Sequence, residues 1–118
     1  LMTLAATIYM TLLGKTGFQQ VANLCYQNAH YTANSIQVAP GFDLPFKETP
    51  FFHEFVVKTD QNVPDLLAHL QDHSILGGYD LSKDYPELEG CLLMAVTEMI
   101  SREDIDYLTD VLNEVDHA

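Results

Sequence analysis

Asp65, His69 and His73 recur at intervals of four residues, the spacing of side chains that share one edge of an α-helix. Two histidines one turn apart can chelate Zn²⁺, but no further convergent ligand is identifiable in the sequence. The same edge borders the apolar face of the predicted helix, where polar side chains commonly face solvent. We therefore favour a solvated helix boundary here, with a metal site as the alternative.

His53 and Glu54 are adjacent polar residues in an otherwise apolar segment that is predicted to be a strand. Neighbours on a strand point to opposite faces of the sheet, so this pair would not act together as acid and base. One of the two would face inward. Such a residue is either hydrogen-bonded in the core or part of a cleft or an interface.

Thr97 and Glu98 directly follow an apolar predicted strand. Loops that leave the carboxyl end of a strand often carry binding groups, which makes the pair a candidate contact site. An ordinary strand end is the simpler interpretation. Both interpretations place the two residues at the edge of the sheet.

Gly77 and Gly78 form the only glycine pair in the chain. Adjacent glycines can let a backbone approach a ligand closely, but neither glycine-rich phosphate-binding pattern surrounds them. A tight turn is the favoured interpretation, with a cleft position as the alternative.

A lysine that forms a Schiff base with a cofactor normally needs burial or a neighbouring positive group to lower its pKa. All four lysines lie at predicted element ends or in loops: Lys15, Lys47, Lys58 and Lys83. The sequence contains no usable Ser-His-Asp arrangement and no cysteine in an electropositive segment. The residues alone therefore predict no catalytic and no cofactor-binding group, and they indicate a non-catalytic module.

Two helices are predicted in the first part of the chain. Residues 1–13 are apolar around most of a helical circumference, and Gly14 is expected to end this helix. Gly17 opens a second helix that runs to about Val38, where Pro40-Gly41 stops it. The first helix needs cover on several sides because it has so little polar surface.

The remaining elements alternate between strands and helices. Residues 51–58 and 91–96 are predicted core strands, and shorter strands are expected at 44–46 and 75–76. One helix begins at Asn62 and Pro64 and ends near His73, and a last helix follows a capping box formed by Ser101 and Asp104. This order predicts an α+β fold in which helices cover a small antiparallel or mixed sheet.

The net charge and the cysteine content indicate which classes of partner and which cellular compartment to expect. The 118 residues suit one domain, and the net charge of −12 comes entirely from residues 60–118. A chain with this much negative charge repels phosphate backbones and anionic lipid. We therefore expect neither nucleic acid nor membranes as partners. Cys25 and Cys91 lie in apolar segments, as buried free thiols of a cytoplasmic protein do.

Five short motifs occur in order along nearly the whole chain. They are Ala29-His30-Tyr31, Glu54-Phe55, Leu76-Gly77-Gly78, Tyr85-Pro86-Glu87-Leu88 and Val96-Thr97-Glu98. Each is weak alone, but together they resemble the C-terminal part of the glycine cleavage P-protein family. The similarity is greatest to subunit 1 of its two-chain form, glycine dehydrogenase (decarboxylating).

The resemblance implies a fold and a division of the chain. The family has the type I fold of pyridoxal-phosphate enzymes, in which a small C-terminal α+β domain follows a large cofactor domain. Residues 1–13 would then be the helix that leads from a missing large domain, and residues 14–118 would form the small domain. We expect such a fragment to be inactive alone and to act in assembly.

The resemblance also implies an activity for the complete enzyme. A cytoplasmic heterotetramer would decarboxylate glycine with pyridoxal phosphate and transfer the aminomethyl group to the lipoyl arm of the H protein. Subunit 2 would hold the cofactor, so subunit 1 would need no Schiff-base lysine. Glycine, subunit 2 and lipoylated H protein are the partners that this assignment predicts.

One departure from the family pattern concerns the loop after the predicted central strand. The family usually has Lys-Arg after Thr-Glu, whereas Met99 and Ile100 follow Thr97-Glu98 here. Two positive charges are absent, which disfavours an anion site in this loop and favours a hydrophobic contact. The alternative to the family assignment is a stand-alone α+β module that binds a small molecule or dimerises, and exposure of helix 1–13 would argue against it.

Overall fold

A computed structural model describes residues 1–115. Its elements in chain order are α1 (Met2–Gln37), β1 (Phe42–Asp43), β2 (Glu54–Thr59), α2 (Val63–Asp72), β3 (Tyr79–Asp80), β4 (Cys91–Ala95) and α3 (Arg102–Asn113), with short 3₁₀ helices at Leu81–Lys83 and Pro86–Leu88. The strands form one antiparallel sheet in the order β1-β2-β4-β3. The predicted α+β fold is confirmed, and β4 is a central strand.

Helix α1 is broken at Gly14. This residue has φ 68° and ψ 179°, a backbone conformation that essentially only glycine adopts. The predicted break is therefore confirmed, although the helix resumes directly after Gly14 and not at Gly17. The half after the break packs into the core through Ala29, Ala33 and Ile36.

The core lies on one face of the sheet. Because directly opposite residues of an antiparallel pair point to the same face, Phe55 and Val57 of β2 share it with Met94 and Leu92 of β4. Helices α1, α2 and α3 cover this face, and the side chains that they bury there include Ala29, Ala33, Ile36, Val63, Leu66, Leu70, Val111 and Leu112. The opposite face carries the exposed side chains of Glu54, Lys58 and Ala95.

Helices α2 and α3 begin where their capping residues predict. Asn62 Oδ1 accepts a hydrogen bond of 3.1 Å from the Asp65 amide. Ser101 and Asp104 bond reciprocally, each side chain accepting from the other residue's amide at 3.1 Å. Both predicted helices are confirmed, and α3 additionally buries Val111.

The first short strand was predicted at 44–46, which is wrong. Strand β1 lies two residues earlier and ends before Pro45, which has no amide hydrogen to donate to a neighbouring strand. A turn follows at once, since the Lys47 amide donates to the Leu44 carbonyl at 3.3 Å.

The second short strand, predicted at 75–76, is also wrong. The Ile75 amide is used to close α2, donating to the Leu70 carbonyl at 2.9 Å. Pairing with β4 begins only at Tyr79, after the two glycines have brought the chain against Leu93.

Candidate functional site

The amino end of β2 and the carboxyl end of β4 meet at one end of the sheet. Glu54 pairs with Ala95, and the Val96 amide donates to the His53 carbonyl at 3.0 Å. Thr97 and Glu98 follow immediately. The structure thus gathers four of the sequence-predicted candidates, His53, Glu54, Thr97 and Glu98, at the same end of the domain.

The loop at residues 97–100 is tied to α1. The Asn28 side-chain amide donates to two loop carbonyls, those of Thr97 at 3.2 Å and Ile100 at 2.9 Å. Within the loop, the Ile100 amide donates to the Thr97 carbonyl and the Met99 amide to Thr97 Oγ1, both at 3.3 Å. These bonds fix the loop's backbone while its Met99 side chain remains exposed.

Cys25 forms a second tie between α1 and the same loop. Its thiol donates to Glu98 Oε2, with the two atoms 3.1 Å apart. Burial raises the pKa of the Cys25 thiol, and the hydrogen bond to the Glu98 carboxylate raises it further. A protonated thiol is a weak nucleophile, so Cys25 is suited to a structural role. Cys91 is also a buried free thiol, as predicted.

His30 packs α1 against the segment that enters β2. Its ring stacks between Tyr26 and Phe51, with centroid distances of 3.9 and 4.0 Å. His30 Nε2 lies 3.0 Å from the Phe51 carbonyl oxygen, which can only accept, so Nε2 carries the proton. This contact fixes the chain just before His53 and Glu54.

Tyr31, the next residue of the same motif, links α1 to α3. Its hydroxyl donates to Asp106 Oδ1 at 2.6 Å, and the Arg102 guanidinium lies 3.6 Å from its ring centroid. Residues 29–31 thus connect the helix to both the sheet and the last helix. All these contacts join elements within the domain, so the motif has a structural role here.

His53 is not a strand residue, which corrects the predicted arrangement of the His53–Glu54 pair. Strand β2 begins at Glu54, and His53 joins the chain after β4 only through its carbonyl, which accepts from the Val96 amide. His53 Nδ1 is buried without a hydrogen-bond partner among the described residues, and Phe52 lies edge-on to its ring at 5.2 Å. Glu54 is exposed.

Gly77 and Gly78 lie in an irregular segment between α2 and β3 in which no turn is formed, so the predicted tight turn is wrong. Gly78 has φ 143°, and a Cβ there would clash with the Leu93 carbonyl oxygen, so this position requires glycine. A Cβ on Gly77 would meet only the end of the Leu70 side chain, which would have to move.

The three helix-edge residues do not form a metal centre. His73 Nδ1 is 2.9 Å from the His69 carbonyl oxygen, and the Asp65 amide donates to Asn62 Oδ1 in the helix cap. Within residues 1–115, no group of three or more histidine, cysteine or acidic residues is arranged to hold a metal ion. Asp65 is exposed, as a solvated helix boundary predicts, but His69 Nε2 is buried without a hydrogen-bond partner among the described residues.

The lysines do not fit a Schiff-base site. Each of Lys15, Lys47, Lys58 and Lys83 is exposed. Lys83 lies over the Tyr79 ring at 5.6 Å, and none of the four has the burial that a Schiff-base lysine normally needs.

Sequence reasoning missed the two residues that organise this end of the sheet. Asn28 lies three positions after the predicted buried residue Cys25, which places both on one helix face. A polar residue on a face that is otherwise apolar is the signal that could have identified it. His30 was recognised only as part of a motif, since nothing local predicts its stacking on Phe51.

Residues 1–115 contain no helix with the length and apolar character needed to cross a bilayer. Helix α1 and its N-cap residue carry many exposed apolar side chains. They are Leu1, Met2, Leu4, Ile8, Tyr9, Met10 and Leu12 before the break, and Phe18, Leu24 and Tyr26 after it.

Sequence comparison identifies relatives over nearly the whole chain. A family model described as the glycine cleavage system P-protein matches residues 1–112. A probable glycine dehydrogenase (decarboxylating) subunit 1 from Dictyoglomus turgidum is 44% identical over 115 residues, which cover 98% of this chain and 25% of that protein. The chain thus spans about a quarter of the length of the curated relatives it matches.

Solved structures give the same assignment. A glycine decarboxylase (P-protein) of the glycine cleavage system, in inhibitor-bound form, superimposes with a TM-score of 0.78 at 27% identity, covering 91% of this chain and 24% of that one. A C-DES mutant with glycine linked to its PLP cofactor gives 0.75 at 14% identity over 96% of this chain and 28% of that one, which concerns the fold alone. The predicted small α+β unit of the type I fold is confirmed. This chain belongs to the glycine cleavage system P-protein family.

Proposed function

We propose that this chain is the small C-terminal domain of subunit 1 of a two-chain glycine dehydrogenase (decarboxylating), with residues 1–13 leading from a large domain and residues 14–118 forming the small one. Residues 116–118 lie outside the described part of the chain. Its role is assembly: it completes the subunit and presents the loop at 97–100 and the start of β2 to the rest of the enzyme. In this proposal the isolated domain is inactive.

The observation that carries the proposal is the exposed apolar half of α1 before Gly14. Leu4, Ile8 and Leu12 lie on one stripe and are all exposed. Exposed apolar surface of this extent normally marks a protein contact. A stand-alone binding or dimerisation module that buries its own helix faces would not leave this stripe uncovered.

The complete enzyme would decarboxylate glycine in the cytoplasm. Pyridoxal phosphate would supply the electron sink, and subunit 2 would hold it, because no lysine of this domain is suited to attach it. The enzyme would pass the aminomethyl group to the lipoylated H protein. The two kinds of subunit would form a heterotetramer.

The first experiment is co-expression of the gene product that carries this segment with its candidate subunit 2. We expect the two chains to copurify and to catalyse exchange of labelled bicarbonate into the glycine carboxyl group, with H protein or lipoate present, only when both are there. Absence of both complex and exchange would contradict the assignment and favour the stand-alone module.

Two variants test the helix in the same assay. Ile8→Asp places a charge on the exposed apolar stripe, and we expect it to abolish copurification and exchange. Thr3→Asp adds the same charge roughly 140° around the helix, since successive residues are about 100° apart, and should retain both. Equal behaviour of the two variants would mean that the stripe is not a contact surface.

A further inference from the structure

The half of α1 that precedes Gly14 has little to hold it outside itself. Every residue from 1 to 12 is exposed. Among the described residues, the side-chain hydrogen bonds of this half are those of Thr7 and Thr11, which donate to the Thr3 and Thr7 carbonyls at 2.9 and 2.7 Å. Both bonds stay within the same half of the helix. This half is therefore joined to the domain mainly through the backbone at Gly14.

The half of α1 that follows Gly14 is fixed to the rest of the domain. Ala33 and Ile36 are buried in the core. The Asn28 side chain donates to two carbonyls of the loop at 97–100. Buried packing and hydrogen bonds over this length of helix leave it little freedom of its own. The second half of α1 and the loop at 97–100 therefore move together.

The backbone at Gly14 has no support from packing. Its φ of 68° and ψ of 179° suit only glycine, and a glycine can break a helix without other contacts. Apart from its neighbours in the helix, no atom lies within 4 Å of the position that a Cβ would occupy. Because glycine adopts both these angles and helical ones, the bend can change without a clash at this residue.

The second half of α1 carries any change at Gly14 to the end of the sheet. Asn28 lies 14 residues after Gly14, which is about 21 Å at a rise of about 1.5 Å per residue. A change of about 10° in the bend would therefore move Asn28, and the loop bound to it, by about 4 Å relative to the first half. A displacement of that size makes or breaks side-chain contacts.

From the exposed first half, the fixed second half and the unsupported glycine between them, we infer that Gly14 is a hinge about which the domain turns relative to residues 1–13 and to any structure bound to them. The hinge rests on this geometry alone. Its use in catalysis rests on the proposed function, in which a large domain lies against the first half. Turning at Gly14 would then change the distance between that domain and the loop at 97–100.

The test measures distances across the hinge in the full gene product that carries this segment, with and without subunit 2. Spin labels are introduced as non-canonical amino acids, so the native cysteines stay as they are. We expect pulsed electron paramagnetic resonance to give a broader distance distribution for labels at Thr3 and Asn34, which flank Gly14, than for labels at Gln20 and Asn34, which both follow it. All three residues are exposed, and Thr3 lies off the apolar stripe. Equal widths would overturn the inference.

Two alanine variants test whether the freedom lies at Gly14. Gly14→Ala favours helical angles, so the broad distribution should narrow to the width of the control pair and shift towards about 47 Å, the span of 31 residues at about 1.5 Å each. Gly17→Ala makes the same change at a residue with helical angles, where a Cβ would lie 3.4 Å from Leu13 Cβ, and should leave the distribution broad. Narrowing in both variants, or in neither, would contradict a hinge at Gly14.

Hydrogen exchange separates a hinge from unfolding of the first half. We expect the amides of residues 5–13 to exchange slowly, as in a formed helix, whereas rapid exchange throughout this range would also overturn the inference. None of these measurements uses copurification or glycine exchange. Their failure would therefore leave the proposed function standing, and loss of glycine exchange would leave the hinge measurable.

Discussion

The two halves of α1 have similar apolar patterns and opposite surroundings. After Gly14, the residues spaced along one face, such as Ala29, Ala33 and Ile36, are almost completely buried. Before Gly14, Leu4, Ile8 and Leu12 also recur on one helix face and are exposed. Periodicity therefore shows that a face needs cover, but it does not show whether the same chain provides that cover.

The two halves should differ most in how far a substitution lowers the free energy of unfolding. Ile36→Ala removes a fully buried side chain and should lower the free energy of unfolding by about 2–5 kcal/mol. Leu12→Ala, at a residue that is 82% exposed, should change it by less than about 0.5 kcal/mol. Urea denaturation followed by circular dichroism measures both. A comparable loss at Leu12 would mean that the first half has cover within the domain.

The polar contacts of the second half should have the next largest effect. Asn28→Asp replaces an amide donor with a carboxylate facing two carbonyl oxygens, and should cost about 1–3 kcal/mol. Asn23→Asp makes the same chemical change at an exposed site away from the ends of α1 and should be nearly neutral. Thermal unfolding of the two variants measures the difference. Equal melting temperatures would show that the loop at 97–100 does not depend on Asn28.

The Cys25 thiol gives the second half of α1 a dependence of stability on pH. Its pKa is raised by burial and by the Glu98 hydrogen bond, so the native state holds the proton more tightly than the unfolded state. That stabilisation is fully present below the unfolded pKa and is lost as pH rises through the higher native value. As the pH rises from about 8 to about 10, the free energy of unfolding should therefore fall.

Cys25→Ala removes this titrating group and leaves Cys91 in place. We expect the decline in stability with pH to be shallower in the variant, as measured by urea denaturation at a series of pH values. Superimposable pH profiles would show that Cys25 contributes nothing to the alkaline decline.

The smallest effect on stability should come from the break itself. In Gly14→Ala, the added methyl group disfavours the backbone angles that residue 14 has here, which suit only glycine. No other atom lies within 4 Å of the position of that methyl group, so nothing there opposes a change to helical angles. Since the first half is exposed, stability should change by less than about 0.5 kcal/mol. The distance between spin labels at residues 5 and 34 should increase towards that of a straight helix, which rises about 1.5 Å per residue. An unchanged distance would mean that other contacts set the bend.

Local signals predicted the longer elements. Capping residues fixed the starts of α2 and α3, and the apolar run at 91–96 predicted the central strand, because each of these signals acts over a few residues. The two shortest strands were misplaced. Their positions depend on individual residues and on tertiary contacts. Strand β1 ends before Pro45, and β3 begins only after Gly78, which packs against Leu93.

The candidate site was predicted only in part. The sequence indicated Thr97 and Glu98 as the end of a central strand, which the structure confirms, since both follow β4. It could not indicate that Cys25 and Asn28 would hold that loop, because those contacts join residues about 70 positions apart. Long-range pairing of this kind depends on how the helix is placed over the sheet.

The shortness of β1 and β3 has a consequence for colloidal behaviour. Both are edge strands of two residues, and the turn-rich segment 44–50 lies beside the remainder of β2, with Pro45 unable to donate a backbone hydrogen bond. A neighbouring molecule therefore has little strand edge on which to add. When this domain meets another copy, contact should occur through side chains of the exposed helix and remain reversible, without the templated strand addition that builds fibrils.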